Sequence, residues 1–179
     1  LKMKCNLTLF ILALFTSLTL AQEEAGKPAS HIPYRVIISS DFPPLDVIPG
    51  GAGYGPADKR SDPDDIQSMV RFLLYSNNFD VEGLAASSAT FANKANKANI
   101  LDILNLYDQV DENLRNHDPC YPTADFLRSV TYQGMGNEGP ISIQWHCDNG
   151  NWEDIIGEGR DCEASEAIIA AVDKDDPRP

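Results

Sequence analysis

A strand, a helix and a second strand follow one another between residues 35 and 88, and this order limits the possible folds more than any other feature of the chain. Residues 35–40 form a short β-branched run bounded by turn residues, which is typical of a strand buried on both faces. Apolar residues then recur at helical spacing from Ile66 to about Asn77, and residues 79–88 form a second strand-like run. This order predicts a right-handed parallel βαβ unit, and hence an α/β fold with a Rossmann-like open parallel sheet.

Four aspartates lie where such a unit would meet a ligand. Asp41 ends the first strand, and ligands of open α/β sheets bind outside the carboxyl ends of the strands. Asp62 is predicted to be the N-cap of the helix and Pro63 its first residue, so that Asp64 and Asp65 lie in its first turn. Capping explains acidic residues here, but so many carboxylates repel one another unless a cation or shared protons offset the charge. A Ca²⁺ or Mg²⁺ site and a solvated acidic turn therefore both stay open.

The segment between Asp41 and the helix, residues 42–61, is rich in proline and glycine. A loop of this length is usually functional or disordered. It is not a dinucleotide-binding fingerprint, because no helix opens after its glycines and the carboxylates that follow would repel a phosphate. It is not an EF-hand either, because the required glycine and the closing glutamate are missing.

Further polar and aromatic residues are expected at the same edge of the sheet as Asp41. Thr90 and Phe91 follow the second strand, and both are candidates for contact with a substrate. Ordinary packing is the alternative for Phe91. Trp145 and Trp152 could stack on a sugar ring, or they could pin their loop to the body of the protein.

The second half of the chain alternates helices with irregular sequence. Residues 99–113 have the period of one amphipathic helix, and the Asn-Lys repeats before it indicate a solvated entry. Residues 122–130 suggest a short helix, residues 131–159 a long loop, and residues 163–172 a last helix.

The amino terminus has the order of a secretory signal peptide. Lys2 and Lys4 precede an apolar run, and small Ala21 stands at a plausible cleavage point. Residues 1–21 are therefore predicted to be removed on export to the periplasm or the medium, and residues 22–34 to form a flexible lead. A retained membrane anchor is the less favoured alternative, because the apolar run is shorter than the roughly 20 residues needed to span a bilayer.

Charge and cysteine content narrow the possible partners. Without the leader the chain has 12 basic and 27 acidic residues, which argues against nucleic acid and anionic membranes as partners. Three cysteines remain, which allows one disulfide in an oxidising compartment, and Cys147 with Cys162 is the preferred pair over any with Cys120.

Several of these motifs together resemble one family. The strand ending in Asp41, the Asp62-Pro63-Asp64-Asp65 run and the strand after it are similar to the opening of the nucleoside-hydrolase-like superfamily, which begins Asp-x-Asp-Pro-Gly-x-Asp-Asp. Residues 120–129, 157–161 and 175–179 are similar to its secreted branch, described as cellulose-binding proteins with a nucleoside-hydrolase-like domain. The resemblance runs from about residue 35 to residue 179.

The resemblance implies hydrolysis of N-glycosidic bonds with a Ca²⁺ that holds the ribose hydroxyls and a water. Matched motif to motif, Asp41 would be the catalytic base and a metal ligand, Asp65 the main metal carboxylate, and Asp64 a ligand of metal and ribose hydroxyls. Asp62 is the alternative base because it directly precedes Pro63, and the missing glycine leaves this choice open.

Two other functions stay open beside the hydrolase. One is a secreted carbohydrate-binding protein that has kept the fold without catalysis, and the other, less favoured, is a sugar transferase that holds a metal-nucleotide through Asp62 and Asp64. The resembled family places later metal ligands on strands that this sequence does not include, so residues 35–179 are expected to be the amino-terminal part of a longer domain.

Overall fold

The computed structural model describes residues 32–49, 56, 59–87, 95–135, 150 and 159–178. The strands are β1 (Tyr34–Ser40), β2 (Ile48–Pro49), β3 (Arg60–Ser61), β4 (Phe79–Ala86) and β5 (Thr131–Gln133). The α-helices are α1 (Asp64–Tyr75), α2 (Lys97–Tyr107), α3 (Asp111–His117), α4 (Ala124–Ser129) and α5 (Glu163–Val172), and a 3₁₀ turn, Ser76–Asn78, follows α1. No helix in these ranges is long and apolar enough to cross a membrane.

The main sheet is parallel and has the order β1-β4-β5. Tyr34 pairs with Phe79 at one end of the β1–β4 ladder and Ser40 with Ala86 at the other, with one irregularity after Val36. The α/β class and the parallel βαβ unit predicted from the sequence are thus confirmed. The strand β4 is buried along most of its length because it lies in the middle, which explains its small and apolar sequence.

The core lies between the sheet and the helices α1, α2 and α4. Four leucine and isoleucine side chains at its centre are fully buried: Leu84, Ile100, Leu104 and Leu127. Met69 and Leu73 bring α1 into the same cluster, because residues four apart on a helix share a face. Part of the apolar pattern predicted after Ile66 therefore forms the buried face of α1.

Four details of the predicted elements were wrong. Pro63, not Asp62, occupies the N-cap of α1, and no side chain caps this helix. The single helix predicted over residues 99–113 is two helices, since α2 ends at Tyr107 and α3 begins at Asp111. The buried carboxylate of Asp111 accepts a hydrogen bond from Ala124 N at 2.8 Å, which ties the start of α3 to α4. The predicted loop over residues 131–159 begins with strand β5, and the proline-rich loop over residues 42–61 contains the small β2–β3 pair.

A network of ion pairs joins the amino ends of β1 and β4 to the end of α5. Arg35 donates from Nε and Nη2 to the two carboxylate oxygens of Glu82, at 2.6 and 3.0 Å. It also donates to the carbonyl of Ala171, the last-turn residue of α5. Lys174 Nζ lies 3.0 Å from Glu82, whose side chain is only 8% exposed. Opposite charges are therefore matched at this buried position.

The segment after α5 extends the same network. Arg178 donates to Asp176 at 2.6 Å and to Asp80 of β4 at 2.9 Å. The Arg35 hydrogen bond lowers the pKa of Glu82, and the Arg178 hydrogen bonds lower the pKa of Asp176. We refer to this group as the amino-edge network: Arg35, Asp80, Glu82, Lys174, Asp176 and Arg178.

Candidate functional site

The carboxyl ends of the strands bring β1 and the start of α1 together. The backbone N–H of Ser87 donates to the carbonyl of Ser40 at 2.8 Å, which extends the β1–β4 pairing to the edge of the sheet. The hydroxyl of Ser40 then donates to Oδ1 of Asp65 at 2.7 Å. This bond joins residues 25 positions apart and fixes the first turn of α1 against the end of β1.

Asp41 and Asp65 form a pair of like charges at this edge. Asp65 lies near enough to Asp41 to act on its carboxyl both as a hydrogen-bond partner and through its negative charge. Burial first, and then the hydrogen bond and negative charge of Asp65, raise the pKa of Asp41 from 3.8 to about 6, with a smaller contribution from Asp64. We refer to Asp41 and Asp65 as the carboxylate pair.

The other two predicted aspartates occupy different surroundings. Asp64 and Asp62 are both exposed, one at the start of α1 and the other just before it. Asp64 acts on Asp41 through its charge, whereas Asp62, the alternative base, is not among the groups that shift the pKa of Asp41. The structure therefore brings Asp41 and Asp65 into contact and leaves the other two toward solvent.

The donor set of the carboxylate pair suits a calcium ion in part. Two neighbouring carboxylates are hard oxygen ligands of the kind that Ca²⁺ prefers, and none of the described groups that shift the pKa of Asp41 is positively charged. Ca²⁺ takes about six to eight oxygens, however, and the described residues contain no group of three or more His, Cys, Asp or Glu side chains arranged to hold a metal. The pair can thus supply part of a coordination shell, and water or ligand hydroxyls would complete it.

Asn99 contacts the chain directly beyond Asp41. Its Nδ2 donates to the carbonyl of Phe42 at 2.9 Å, and only 9% of the residue is exposed. The predicted solvated entry agrees with Asn96, which is exposed and caps α2 by accepting from Ala98 N at 3.1 Å, whereas Asn99 after it is buried. An asparagine in a first helical turn is common at helix starts, so the sequence held no signal for this tertiary contact.

A second polar group lies at the carboxyl end of β5. The side chain of Gln133 accepts from Lys97 N at 2.9 Å and donates to the carbonyl of Ala95 at 2.8 Å. Glu163 accepts from Gln133 N at 2.8 Å and from Lys97 Nζ at 2.9 Å. These bonds lower the pKa of Glu163 and tie β5, α2 and α5 together, so this group is fully engaged in joining elements.

Several predicted contacts lie outside the described residues: Thr90, Phe91, Trp145, Trp152 and Cys147. The preferred disulfide between Cys147 and Cys162 therefore also lies outside the described residues. The sulfur of Cys162 accepts from Ser165 N at 3.4 Å at the start of α5. Cys120 is exposed.

The chain is similar to a known protein family and to a solved structure. Residues 56–179 match a family model described as cellulose-binding Sde182, nucleoside hydrolase-like domain. The chain is also similar to a solved structure of a nucleoside hydrolase-related hypothetical protein from Saccharophagus degradans, which is associated with carbohydrate metabolism.

The structural similarity covers most of this chain but a minor part of that protein. The two are 35% identical in sequence and superpose with a TM-score of 0.59. The match covers 82% of this chain and 29% of the solved chain. No curated protein sequence matches the chain.

Proposed function

Because this chain belongs to the family described as cellulose-binding Sde182, nucleoside hydrolase-like domain, we propose that its carboxylate pair forms part of a site that hydrolyses an N-glycosidic bond. Contact between Asp41 and Asp65 at the carboxyl edge of a parallel sheet carries the proposal. A single capping aspartate would not need a second, half-buried carboxyl beside it. Two such groups in one crevice are characteristic of sites that bind cations, protons or sugar hydroxyls.

Asp41 is the group we assign as general base. Its pKa of about 6 leaves it mostly ionised at neutral pH, yet basic enough to accept a proton from water in the transition state. In the reaction, a water oxygen bonds to the anomeric carbon as the bond from that carbon to the nitrogen of the leaving base breaks. The water proton passes to an Asp41 carboxylate oxygen, and the leaving base takes up a proton from solvent.

Asp65 is assigned to hold a cation rather than to move a proton. Its Oδ1 accepts the Ser40 hydroxyl, so its position is fixed by β1. Together with Asp41 it would hold part of a Ca²⁺ shell, and a bound Ca²⁺ would supply positive charge that orients sugar hydroxyls and offsets the repulsion within the pair. Asp64, exposed in the same turn, is assigned to contact the sugar hydroxyls.

A second candidate is carbohydrate binding without catalysis. The family description contains the words cellulose-binding, and the similar solved protein is associated with carbohydrate metabolism. The absence of a group of three metal-binding side chains among the described residues is also compatible with this candidate. The cellulose-binding description of the family is consistent with a protein that acts outside the cytoplasm, and we propose secretion for that reason.

An activity assay on the full-length protein separates the two candidates. We expect release of ribose from inosine or uridine in the presence of Ca²⁺, with Asp41→Asn lowering kcat by about 100-fold or more. Asp65→Ala should sharply weaken the Ca²⁺ affinity measured by calorimetry. Asp125→Asn is the matched control, because Asp125 is an exposed aspartate paired with Arg128 on α4.

Two outcomes would contradict this proposal. One is a wild-type protein that binds cellulose but releases no ribose, which would favour the carbohydrate-binding candidate. The other is turnover that Asp41→Asn and Asp125→Asn reduce equally, which would remove Asp41 from the mechanism.

A further inference from the structure

The chain on either side of Asp41 is held by different means. Before it, the Ser40 carbonyl is still paired with β4 and the Ser40 hydroxyl contacts Asp65. After it, the chain turns away from the sheet, so the carbonyl of Phe42 has left the β1 ladder. Asn99 supplies a donor to that carbonyl from α2, an element 57 residues away.

The Phe42 end of this turn is buried as well as hydrogen-bonded. The side chain of Phe42 is 3% exposed and belongs to the main core, and Pro43 is fully buried. A ring in the core fixes where the residue lies, but it leaves the peptide plane free to rotate about the neighbouring dihedral angles. The hydrogen bond from Asn99 fixes that plane, which belongs to the Phe42–Pro43 peptide, so Asp41 lies between this fixed peptide and the paired carbonyl of Ser40.

We propose that Asn99 is a positioning residue for Asp41: by holding the carbonyl of Phe42 it sets the direction of the Asp41 carboxyl toward Asp65. The Asn99 amide is held in turn by Asn96, whose Nδ2 donates to Asn99 Oδ1 at 3.3 Å. The cap of α2 is thereby linked to the carboxylate pair through two asparagines. The contact within the pair does not depend on the proposed function, whereas the expected effect on calcium binding rests on it.

The test compares two variants of the full-length protein that each remove one buried donor to a backbone carbonyl. Asn99→Leu keeps the shape of the side chain without its N–H groups. Thr131→Val is the matched control. Thr131 Oγ1 donates to the Leu127 carbonyl at 2.8 Å, and Thr131 is the first residue of β5, at the amino end of that strand. Both should lower the melting temperature. Only Asn99→Leu should separate the Asp41 and Asp65 carboxyls in a crystal structure and weaken Ca²⁺ binding on the order of tenfold by calorimetry.

The outcomes distinguish this proposal from the proposed function. A crystal structure of Asn99→Leu with the carboxylate pair still in contact overturns the positioning role, as does equal weakening of Ca²⁺ binding by Thr131→Val. If the wild-type protein binds no Ca²⁺, the calcium part of the proposed function fails, and the crystal structures alone decide the role of Asn99. Should Asn99→Leu fail to fold, Asn99→Ala removes the same donor without adding an apolar branch and is held to the same result.

Discussion

The two ends of the parallel sheet treat charge in opposite ways. At the amino end, Arg35 and Glu82 are largely buried and each faces an opposite charge. At the carboxyl end, Asp41 and Asp65 face each other. The first arrangement lowers the pKa of its carboxylates, and the second raises the pKa of Asp41 to about 6.

This difference separates a structural role from a functional one. A buried charge is tolerated when it is paired and hydrogen-bonded, and the amino-edge network meets both conditions while joining β1 and β4 to the segment after α5. A pair of like charges costs stability wherever it occurs, so its presence needs another reason. We therefore expect changes at the amino end to lower stability, and changes at the carboxyl end to lower activity while leaving stability the same or higher.

The largest effect on stability is expected from Arg35→Ala. This change leaves Glu82 buried, with Lys174 as its one remaining ion-pair partner among the described residues, and removes the donor to the Ala171 carbonyl. Breaking one side of a buried pair is costly, and we expect the melting temperature to fall by roughly 10 °C in calorimetric or circular-dichroism melts.

Arg128→Ala is the control for that prediction. Arg128 also forms two ion pairs, but its partners Asp108 and Asp125 are 53% and 92% exposed. Exposed pairs contribute little, so this melting temperature should change by about 2 °C or less. An equal loss in the two arginine variants would show that burial does not distinguish the amino-edge network from an ordinary surface pair.

The sequence predicted the backbone of both ends better than the contacts between them. The strand β1 and the helix α5 were predicted within one residue, because the β-branched run and the apolar helical pattern are local signals. The strand β5 was missed because three residues are too few to show an alternating pattern, and pairing with β4 is what makes them a strand.

The candidate site shows the same limit. Asp41 and Asp65 could be assigned to one edge of the sheet from the βαβ order alone, and they do lie there together. The contacts of Ser40 and Asn99 could not be predicted, since they join residues 25 and 57 positions apart and depend on how the helices pack. The long proline- and glycine-rich segment over residues 42–61 also left open which aspartate of the α1 start would lie beside Asp41.

The pH dependence of stability should have opposite signs at the two ends. The pKa of Asp41 is raised from 3.8 to about 6, so the stability it contributes is full below about pH 4 and is lost as the pH rises through 6. Glu82 and Asp176 have lowered pKa values, so their contribution is present above about pH 4.5 and is lost as the pH falls below it. When the pH is lowered from 7.5 to 5, the melting temperature of the wild type should therefore rise by a few degrees relative to that of Asp41→Asn.

Melts of three proteins across pH 3.5 to 7.5 check this. Asp41→Asn should flatten the upper part of the curve, and Glu82→Gln should reduce only the loss of stability in acid. A wild-type curve with the same upper slope as Asp41→Asn would mean that the carboxylate pair does not titrate in this range.

The smallest expected effect is the response to salt, and it depends on the sign of the charges that face each other. At pH 7.5 Asp41 is mostly ionised and repels Asp65, and raising NaCl from 0.1 to 1 M shortens the screening length from about 10 to about 3 Å. Screening weakens this repulsion, so the wild-type melting temperature should rise about 1 °C more than that of Asp41→Asn. Both proteins carry nearly the same large net charge, so the general effect of salt cancels in the difference.

The same comparison of the wild type with Glu82→Gln should show no extra rise in melting temperature. Salt weakens an attraction at Glu82, and the burial of this ion pair limits the access of salt ions to it. An equal salt response in the wild type and in Asp41→Asn would show that the carboxyls of Asp41 and Asp65 do not repel each other measurably. The two ends of the sheet would then differ in geometry alone.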